Sequence, residues 1–309
     1  MSQNKTMIGH LLGLFTIIIW GTTYVSTKVL LKDFTPIEIL FFRFFLGLLV
    51  LTAIYPHRLK TKGWRQELQF MAAGICGVTL YFMLENTALT ITLASHVGII
   101  VAVAPFFTAI LAHFFLEGER FQLRFFAGFV VSMAGIICIN INENFLLKIS
   151  PIGDLLAVLA AAVWAVYSIL AKKISDYGYH TIASTRRIFL YGVLFMLPIR
   201  LVLPFSLELH RFTQPVNLLN MLFLSLGASA LCYLTWNYAI RLLGAATTSL
   251  YIYIVPAVTV LTSWIVLQEN ITWVAILGAF LTMAGLVISE TKFRIKGRKA
   301  VEGESQAPG

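Results

Sequence analysis

Ten long apolar segments follow one another along almost the whole chain and limit what it can fold into. Each approaches the roughly 20 residues that an α-helix needs to cross a lipid bilayer. They cover residues 8–31, 36–55, 68–89, 94–115, 121–140, 152–172, 182–204, 217–240, 245–267 and 271–290. Only 12% of the 309 residues are charged, about half the share found in soluble domains. The sequence therefore predicts an all-α integral membrane protein with ten transmembrane helices.

The second half of the chain repeats the first. Offsets of 144, 151 and 150 residues align similar residues through both halves. The aligned pairs include Trp20 with Trp164, Arg43 with Arg187, Asn86 with Asn237, Pro105 with Pro256, and Gly128 with Gly278. Each copy contains an odd number of helices, five, so the second copy enters the membrane from the opposite side. We therefore predict two inverted five-helix repeats at 8–140 and 151–290, followed by a basic, disordered cytoplasmic tail at 291–309.

The basic residues predict which end of the bundle faces the cytoplasm. With both termini inside, 15 of the 23 Lys and Arg residues fall on the cytoplasmic side. Three lie within helices, and the five outside are Lys28, Lys32, Lys148, Arg200 and Arg211. This bias predicts a multi-pass protein of the cell membrane with cytoplasmic termini. The net charge of +9 then needs no nucleic-acid partner, because the anionic inner leaflet of the bilayer attracts basic segments.

Motifs of enzymes and of metal sites are missing from the sequence. It contains no G-x-S-x-G, HExxH, GxGxxG or phosphate-binding loop. Cys76, Cys138 and Cys232 lie in apolar segments, without the spacing of a metal or redox site. We therefore predict a protein that is not an enzyme and that uses no metal or other cofactor.

Two stretches of the sequence resemble each other and also a known family. Residues 94–138 (ASHVGIIVAVAPFFTAILAHFFLEGERFQLRFFAGFVVSMAGIIC) and residues 245–288 share a proline within the helix, an acidic residue at its end, and a glycine-rich closing helix. Both resemble the EamA-type repeat of the drug/metabolite transporter superfamily. WGTTYVSTK at 20–28 and the arginine of FFRF at 41–44 are similar to patterns in that family's first and second helices. The resemblance implies a ten-helix carrier of small metabolites, often amino acids and often moved outward.

Charged residues occur at depths in the membrane where charge is costly. Arg43 and Arg187 lie at mirror positions in the second and seventh helices, and each guanidinium needs an anion. Glu85, near the outer end of the third helix, lies at a depth comparable to Arg43, which predicts an Arg43–Glu85 ion pair. The alternatives are a structural clasp, a gate, a contact with the carboxylate of a substrate, and a glutamate solvated at the helix end. Glu38 is a competing partner for Arg43, whereas Arg187 has no equivalent of Glu85, because Trp236 occupies that position.

Aromatic and amide side chains complete the predicted substrate site. Trp20 and Tyr24 share one helix face, and Trp164 occupies the position equivalent to Trp20. If these faces look inward, the rings form apolar walls for an amphipathic solute; packing against helices or lipid is the alternative. For Asn86 and Asn237 the alternative is hydrogen bonding between helices. The predicted substrate-binding residues are Trp20, Tyr24, Arg43, Tyr81, Glu85, Asn86, His96, Trp164, Arg187, Trp236 and Asn237.

Proline and glycine recur at equivalent positions of the two copies. Pro105 and Pro256 lie within apolar segments and predict helix kinks that act as hinges. Close helix packing is predicted at glycines that lie seven residues apart on one face, which are Gly128, Gly135, Gly278 and Gly285.

Together these features predict a secondary transporter that exports amino acids or similar small amphipathic metabolites by alternating access. Its partners are a small-molecule substrate and the lipid bilayer, and one chain suffices as a monomer because both repeats are fused. The alternatives are a membrane enzyme, a receptor or scaffold that transports nothing, and a channel. A receptor has no need of an inverted duplication, and the sequence shows no ring of like charges typical of a channel.

Overall fold

A computed structural model describes residues 3–92, 94–117, 123–140, 150–267 and 273–290. Helices account for most of these residues, and no β-strand occurs among them. The helices are α1 (Gln3–Leu30), α2 (Pro36–Ile54), α3 (Trp64–Ile91), α4 (Ala94–Val101), α5 (Ala104–Phe115), α6 (Leu123–Asn140), α7 (Pro151–Asp176), α8 (Thr181–Val202), α9 (Pro215–Leu243), α10 (Ala245–Ser249), α11 (Val255–Leu267) and α12 (Trp273–Glu290). The predicted tail at 291–309 lies outside the described residues.

All ten predicted apolar segments are helical in the described residues, but their lengths differ. Seven are long and apolar enough to cross a membrane: Asn4–Leu30, Pro36–Ile54, Trp64–Ile91, Pro151–Asp176, Thr181–Ile199, Pro215–Leu243 and Ala245–Val266. Three apolar stretches are shorter, namely Ala104–Phe115, Arg124–Gly135 and Ile276–Ser289. The described chain is therefore an all-helical, multi-pass membrane protein, and a count of ten complete spans stays a prediction.

The regular α-helix is interrupted near both predicted kinks, by a break at residues 102–103 and by a 3₁₀ turn within the continuous helical segment that contains Pro256. Helix α4 ends at Val101, and α5 begins at Ala104 with Pro105 in its first turn. Pro256 likewise is the second residue of α11, which follows a 3₁₀ turn at Leu250–Ile254. A proline in the first turn is favourable, because its fixed φ suits the helix and the N–H it lacks would have no partner there. The role of both prolines as hinges stays a prediction.

Contacts between helix termini define one end of the bundle, which we name the first end. The start of α1 meets the end of α9, where Gly9 lies against Leu243. The turn between α7 and α8 meets the start of α3, where the Tyr179 hydroxyl donates to Gln66 Oε1 at 2.7 Å. Both contacts lie at the same end because α1 and α3 run in the same direction: Lys28, near the end of α1, donates to the Leu89 carbonyl near the end of α3. The start of α1 and the end of α7 therefore lie at the first end.

The opposite, second end carries the other termini of these helices. Lys28, near the end of α1, donates to the Leu89 carbonyl near the end of α3 at 2.6 Å. Gly153, in the first turn of α7, lies against Thr92, which directly follows α3. Helix α1 thus runs from the first end to the second, and α7, its counterpart in the sequence repeat, runs the other way.

Helices α6 and α12 pack closely and antiparallel along the four predicted glycines, which we call the glycine seam (Gly128, Gly135, Gly278 and Gly285). A Cβ atom on Gly128 would lie 2.5 Å from the Gly285 carbonyl oxygen, and one on Gly135 would lie 2.6 Å from that of Gly278. Backbone can approach this closely only where no side chain stands between the helices. The prediction of close packing at these glycines is confirmed.

Candidate functional site

A cavity lies between α1, α2, α3, α4, α7 and α11, beside the break between α4 and α5 and the 3₁₀ turn before α11. Small-molecule sites in proteins are mostly apolar with a few placed polar groups, and the lining of this cavity has that composition. Six of the eleven predicted binding residues line it, from α1, α2, α3 and α7: Trp20, Tyr24, Arg43, Tyr81, Glu85 and Trp164. Both charged residues that line the cavity are among these six.

Arg43 is the cation of the cavity, and it is almost fully buried, with 2% of its surface exposed. Its Nε donates to Ser229 Oγ of α9 at 2.5 Å. The guanidinium carbon lies 4.3 Å from the centre of the Phe82 ring. These contacts hold the guanidinium in place, but neither supplies a negative charge.

Glu85 borders the same cavity with 3% of its surface exposed. The Tyr81 hydroxyl, one helical turn earlier, interacts with the Glu85 carboxylate, and Tyr24 of α1 interacts with Tyr81. Glu85 and Arg43 attract each other, but among the described ion pairs none joins them within 4.0 Å. The predicted Arg43–Glu85 ion pair is therefore wrong as a direct contact. The reason is that Arg43 turns towards Ser229 and Phe82 instead.

The two tryptophans that the repeat makes equivalent meet at the cavity. The Trp20 and Trp164 ring centres are 5.2 Å apart in an edge-to-face arrangement, and Tyr81 lies 4.9 Å from Trp164. Such edge-to-face packing is favourable between aromatic rings. The predicted inward faces of Trp20 and Trp164 thus form an aromatic wall of the cavity, and these two rings do not face lipid.

Glu38 does not compete for Arg43, because it has partners at the second end of the bundle. Its carboxylate accepts hydrogen bonds from the backbone N–H groups of Thr35 and Ser206, at 2.8 and 2.7 Å. It also forms an ion pair of 3.0 Å with Arg211. Arg211 hydrogen-bonds Glu208 as well, which lowers the pKa of that exposed carboxyl. This cluster ties the start of α2 to the segment between α8 and α9.

Arg187 lies away from the cavity and has an acidic partner that the sequence reading missed. Its guanidinium forms an ion pair of 2.6 Å with Glu67 in the first turn of α3, and the Tyr191 hydroxyl donates to the same carboxylate. The Arg187 side chain is 32% exposed, so the charge is neutralised near the surface. The mirror relation of Arg43 and Arg187 in the sequence therefore does not extend to their surroundings.

Asn86, Asn237 and Trp236 lie outside the cavity. Asn86 donates to the Pro36 carbonyl of α2 at 3.4 Å. Asn237 accepts from the Tyr167 hydroxyl at 2.7 Å and donates to Thr185 at 3.1 Å. It therefore forms hydrogen bonds between helices, which was the alternative to substrate binding. Trp236 is fully buried behind Trp20, at 5.0 Å between ring centres, and the His96 side chain lies outside the described residues.

Six lining residues were not predicted, namely Ile17, Thr23, Phe82, Val101, Ile252 and Val255. Val101 is the last residue of α4, Ile252 lies in the 3₁₀ turn before α11, and Val255 is the first residue of α11. The sequence predicted regular helices through these positions. Where the α-helix is interrupted, side chains no longer follow the regular spacing of one helix face, so these three lining residues could not be predicted. Ile17 lies three residues before Trp20 and Phe82 lies three residues before Glu85, so helical spacing from predicted residues was a usable signal.

The comparisons with known proteins are consistent with this arrangement. The EamA-like transporter family matches residues 7–141 and again residues 151–291. The chain belongs to the EamA-like transporter family. It is 27% identical to an uncharacterized transporter of Archaeoglobus fulgidus, over 92% of this chain and 97% of that one. It is 26% identical to a probable terminal-alkyne amino-acid exporter of Streptantibioticus cattleyicolor, over 95% of this chain and 95% of the exporter.

A solved crystal structure shares the fold of this EamA-like protein with a TM-score of 0.74 and 18% identity, covering 91% of this chain and 96% of the other. The EamA-like chain is thus a membrane transporter and not an enzyme, as the family and its relatives indicate. Within the described residues no group of three His, Cys, Asp or Glu side chains is placed to hold a metal ion.

Proposed function

We propose that this EamA-like transporter carries amino acids with apolar side chains, and that it exports them from the cell by alternating access. The observation that carries the proposal is the buried Arg43, which has no carboxylate within ion-pair distance among the described residues. A buried, unpaired charge costs several kcal/mol. The carboxylate of a bound amino acid would supply the missing anion.

The other residues of the cavity complement the α-ammonium group and the apolar side chain of such a substrate. Glu85, with Tyr81 and Tyr24 beside it, offers an anion and hydroxyl groups to an α-ammonium group. The rings of Trp20 and Trp164 supply apolar surface for the side chain. A charged side chain would find no third charged group among the lining residues. The amino-acid exporter among the relatives supports the same substrate class and the outward direction.

Alternating access follows from the proposed arrangement of ten spans in two inverted repeats, which share a two-fold axis in the membrane plane. The antiparallel course of α1 and α7 supports this arrangement. So does the crosswise pairing in the glycine seam, where Gly128 meets Gly285 and Gly135 meets Gly278. The α-helix is interrupted near the equivalent prolines Pro105 and Pro256, in both cases beside the cavity, which supports a binding site at the interface of the repeats.

The repeats can be tested by mapping single cysteines in a variant that lacks the native Cys76, Cys138 and Cys232. Positions Lys62 and Arg298 are expected to react only from the cytoplasmic side, because the first end carries the larger share of basic residues. Position Lys148, between the repeats, is expected to react only from outside. Membrane-impermeant maleimide applied to whole cells and to inverted vesicles measures this. Labelling of Lys62 and Lys148 from the same side would contradict the inverted arrangement.

Transport by the purified protein in proteoliposomes tests the substrate class. Labelled L-leucine and L-phenylalanine are expected to leave the vesicles saturably and faster than from empty vesicles. L-Lysine and L-glutamate are expected to move at the rate of empty vesicles, because the cavity has no partner for a third charge. A rate equal to that of empty vesicles for all four amino acids would contradict the proposal.

A further inference from the structure

The two equivalent tryptophans at the cavity differ in how their indole N–H groups are satisfied. Trp20 Nε1 donates to the Ala228 carbonyl of α9 at 2.8 Å. Trp164 is more deeply buried than Trp20, with 3% of its surface exposed, but its Nε1 has no partner among the described residues. A buried indole N–H usually finds an acceptor, and leaving one without a partner costs about 1–3 kcal/mol.

The repeat explains why Trp164 has no acceptor in the protein. By the offset of 151, the counterpart of Ala228 is Gly77 of α3, so the Gly77 carbonyl is the acceptor that symmetry would give to Trp164. That carbonyl instead accepts from the Tyr233 hydroxyl. The Tyr167 ring also lies against Gly77, where any side chain would collide with it. The Trp164 N–H therefore does not form a hydrogen bond to Gly77 equivalent to the one that Trp20 forms with Ala228.

Arg43 and Trp164 border the same cavity and are joined by a row of aromatic rings. The Arg43 guanidinium lies over Phe82, the ring centres of Phe82 and Tyr81 are 4.7 Å apart, and those of Tyr81 and Trp164 are 4.9 Å apart. Because Arg43 Nε is committed to Ser229, its two terminal nitrogens are the ones that remain for a ligand. Within the described residues, the terminal nitrogens of Arg43 and the Trp164 N–H are therefore two donors at one cavity for which no acceptor is seen.

We infer that the Trp164 indole N–H is a second hydrogen-bond donor to the substrate carboxylate, alongside Arg43. The inference rests on the proposed function and adds to it a specificity-determining residue. A carboxylate has two oxygens, each able to accept, so it satisfies both donors at once. An amide in its place has one carbonyl oxygen and an NH₂ group that cannot accept. Trp164 thus discriminates amino acids from their amides.

The test compares Trp164→Phe, which keeps an aromatic ring and removes the N–H, with the matched variant Trp20→Phe. The probes are labelled L-leucine and, as a competitor, L-leucinamide, which lacks the carboxylate. Trp164→Phe is expected to raise the KM for L-leucine about ten-fold, the size expected for a hydrogen bond to a charged group. Inhibition by L-leucinamide is expected to stay unchanged. Trp20→Phe is expected either to weaken L-leucine transport and inhibition by L-leucinamide to the same extent or to leave both unchanged.

An unchanged KM for L-leucine in Trp164→Phe, or a parallel weakening of L-leucinamide, would overturn the inference, since only packing would then be affected. An NMR measurement on the unsubstituted chain covers the case in which the variant does not fold. With ¹⁵N-labelled indoles, the Trp164 N–H resonance is expected to move downfield on addition of L-leucine and to stay in place with L-leucinamide; no movement with L-leucine would overturn the inference. A lack of L-leucine transport by the unsubstituted protein would instead contradict the proposed function.

Discussion

Replacing Arg43 by glutamine is expected to lower kcat/KM for L-leucine transport by about 100-fold or more, which corresponds to ~2.8 kcal/mol. Among the described residues the Arg43 guanidinium is the one cation that lines the cavity. Removing one partner of a buried ion pair costs about 2–5 kcal/mol. Arg43→Lys is expected to give an intermediate loss, because lysine keeps the charge but not the planar fork over Phe82. Efflux rates from proteoliposomes measure both variants.

Arg43→Gln is expected to lose transport activity without losing thermal stability. The protein itself supplies Arg43 with a hydroxyl from Ser229 and with aromatic rings, not with a carboxylate in contact. Removing a buried charge that lacks such a partner relieves a desolvation cost, so the midpoint of unfolding in detergent is expected to stay equal or to rise. A variant that neither transports nor unfolds cooperatively would point to a structural role for Arg43.

Arg187→Gln is the matched control, because the repeat makes Arg187 the counterpart of Arg43. Its ion pair with Glu67 is partly exposed, and such pairs contribute about 0–1 kcal/mol. We expect Arg187→Gln to change kcat/KM by no more than a few-fold. Equal losses in both variants would show that neither arginine binds the substrate through its charge, and wild-type transport by Arg43→Gln would remove Arg43 from the site.

Properties that depend on neighbouring residues of the chain could be predicted from the sequence. Apolar length predicted the helical segments, and glycines seven residues apart predicted the seam between α6 and α12. Six cavity residues could be identified. Arg43 and Glu85 were recognisable because charged side chains are rare within apolar segments unless they have a partner or a function, and Trp20 and Trp164 were recognisable because the repeat pairs them.

Partners in other helices could not be predicted, because they depend on how each helix is rotated in the bundle. Arg43 contacts Ser229, 186 residues further along the chain, and nothing near either residue indicates the pairing. Glu67 was not predicted as the partner of Arg187 for a different reason. The third helix was predicted to begin at residue 68, whereas it begins at Trp64, and the extra turn carries Glu67 to Arg187.

Replacing Gly135 by leucine is expected to destabilise the folded protein by about 3 kcal/mol or more. The first added carbon alone would lie 2.6 Å from the Gly278 carbonyl oxygen and 2.7 Å from the Thr282 backbone nitrogen. Both atoms belong to the backbone of α12, which cannot turn aside as a side chain can, so the two helices must separate. Overpacking of this kind costs about 1–3 kcal/mol and sometimes more. Unfolding in detergent, followed by fluorescence, measures the loss.

Ala134→Leu is the control for that variant, since Ala134 is the preceding residue of α6 and its side chain is exposed. It adds a leucine to the same helix on a face that lipid can cover, and its unfolding midpoint is expected to match the wild type. A Gly135→Leu protein as stable as Ala134→Leu would mean that α6 and α12 are not in backbone contact. Because the seam joins the last helix of one repeat to the last helix of the other, loosening it should also weaken the coupling between the two repeats. Transport by Gly135→Leu is therefore expected to be lower even at temperatures at which the protein stays folded, whereas Ala134→Leu is expected to retain transport.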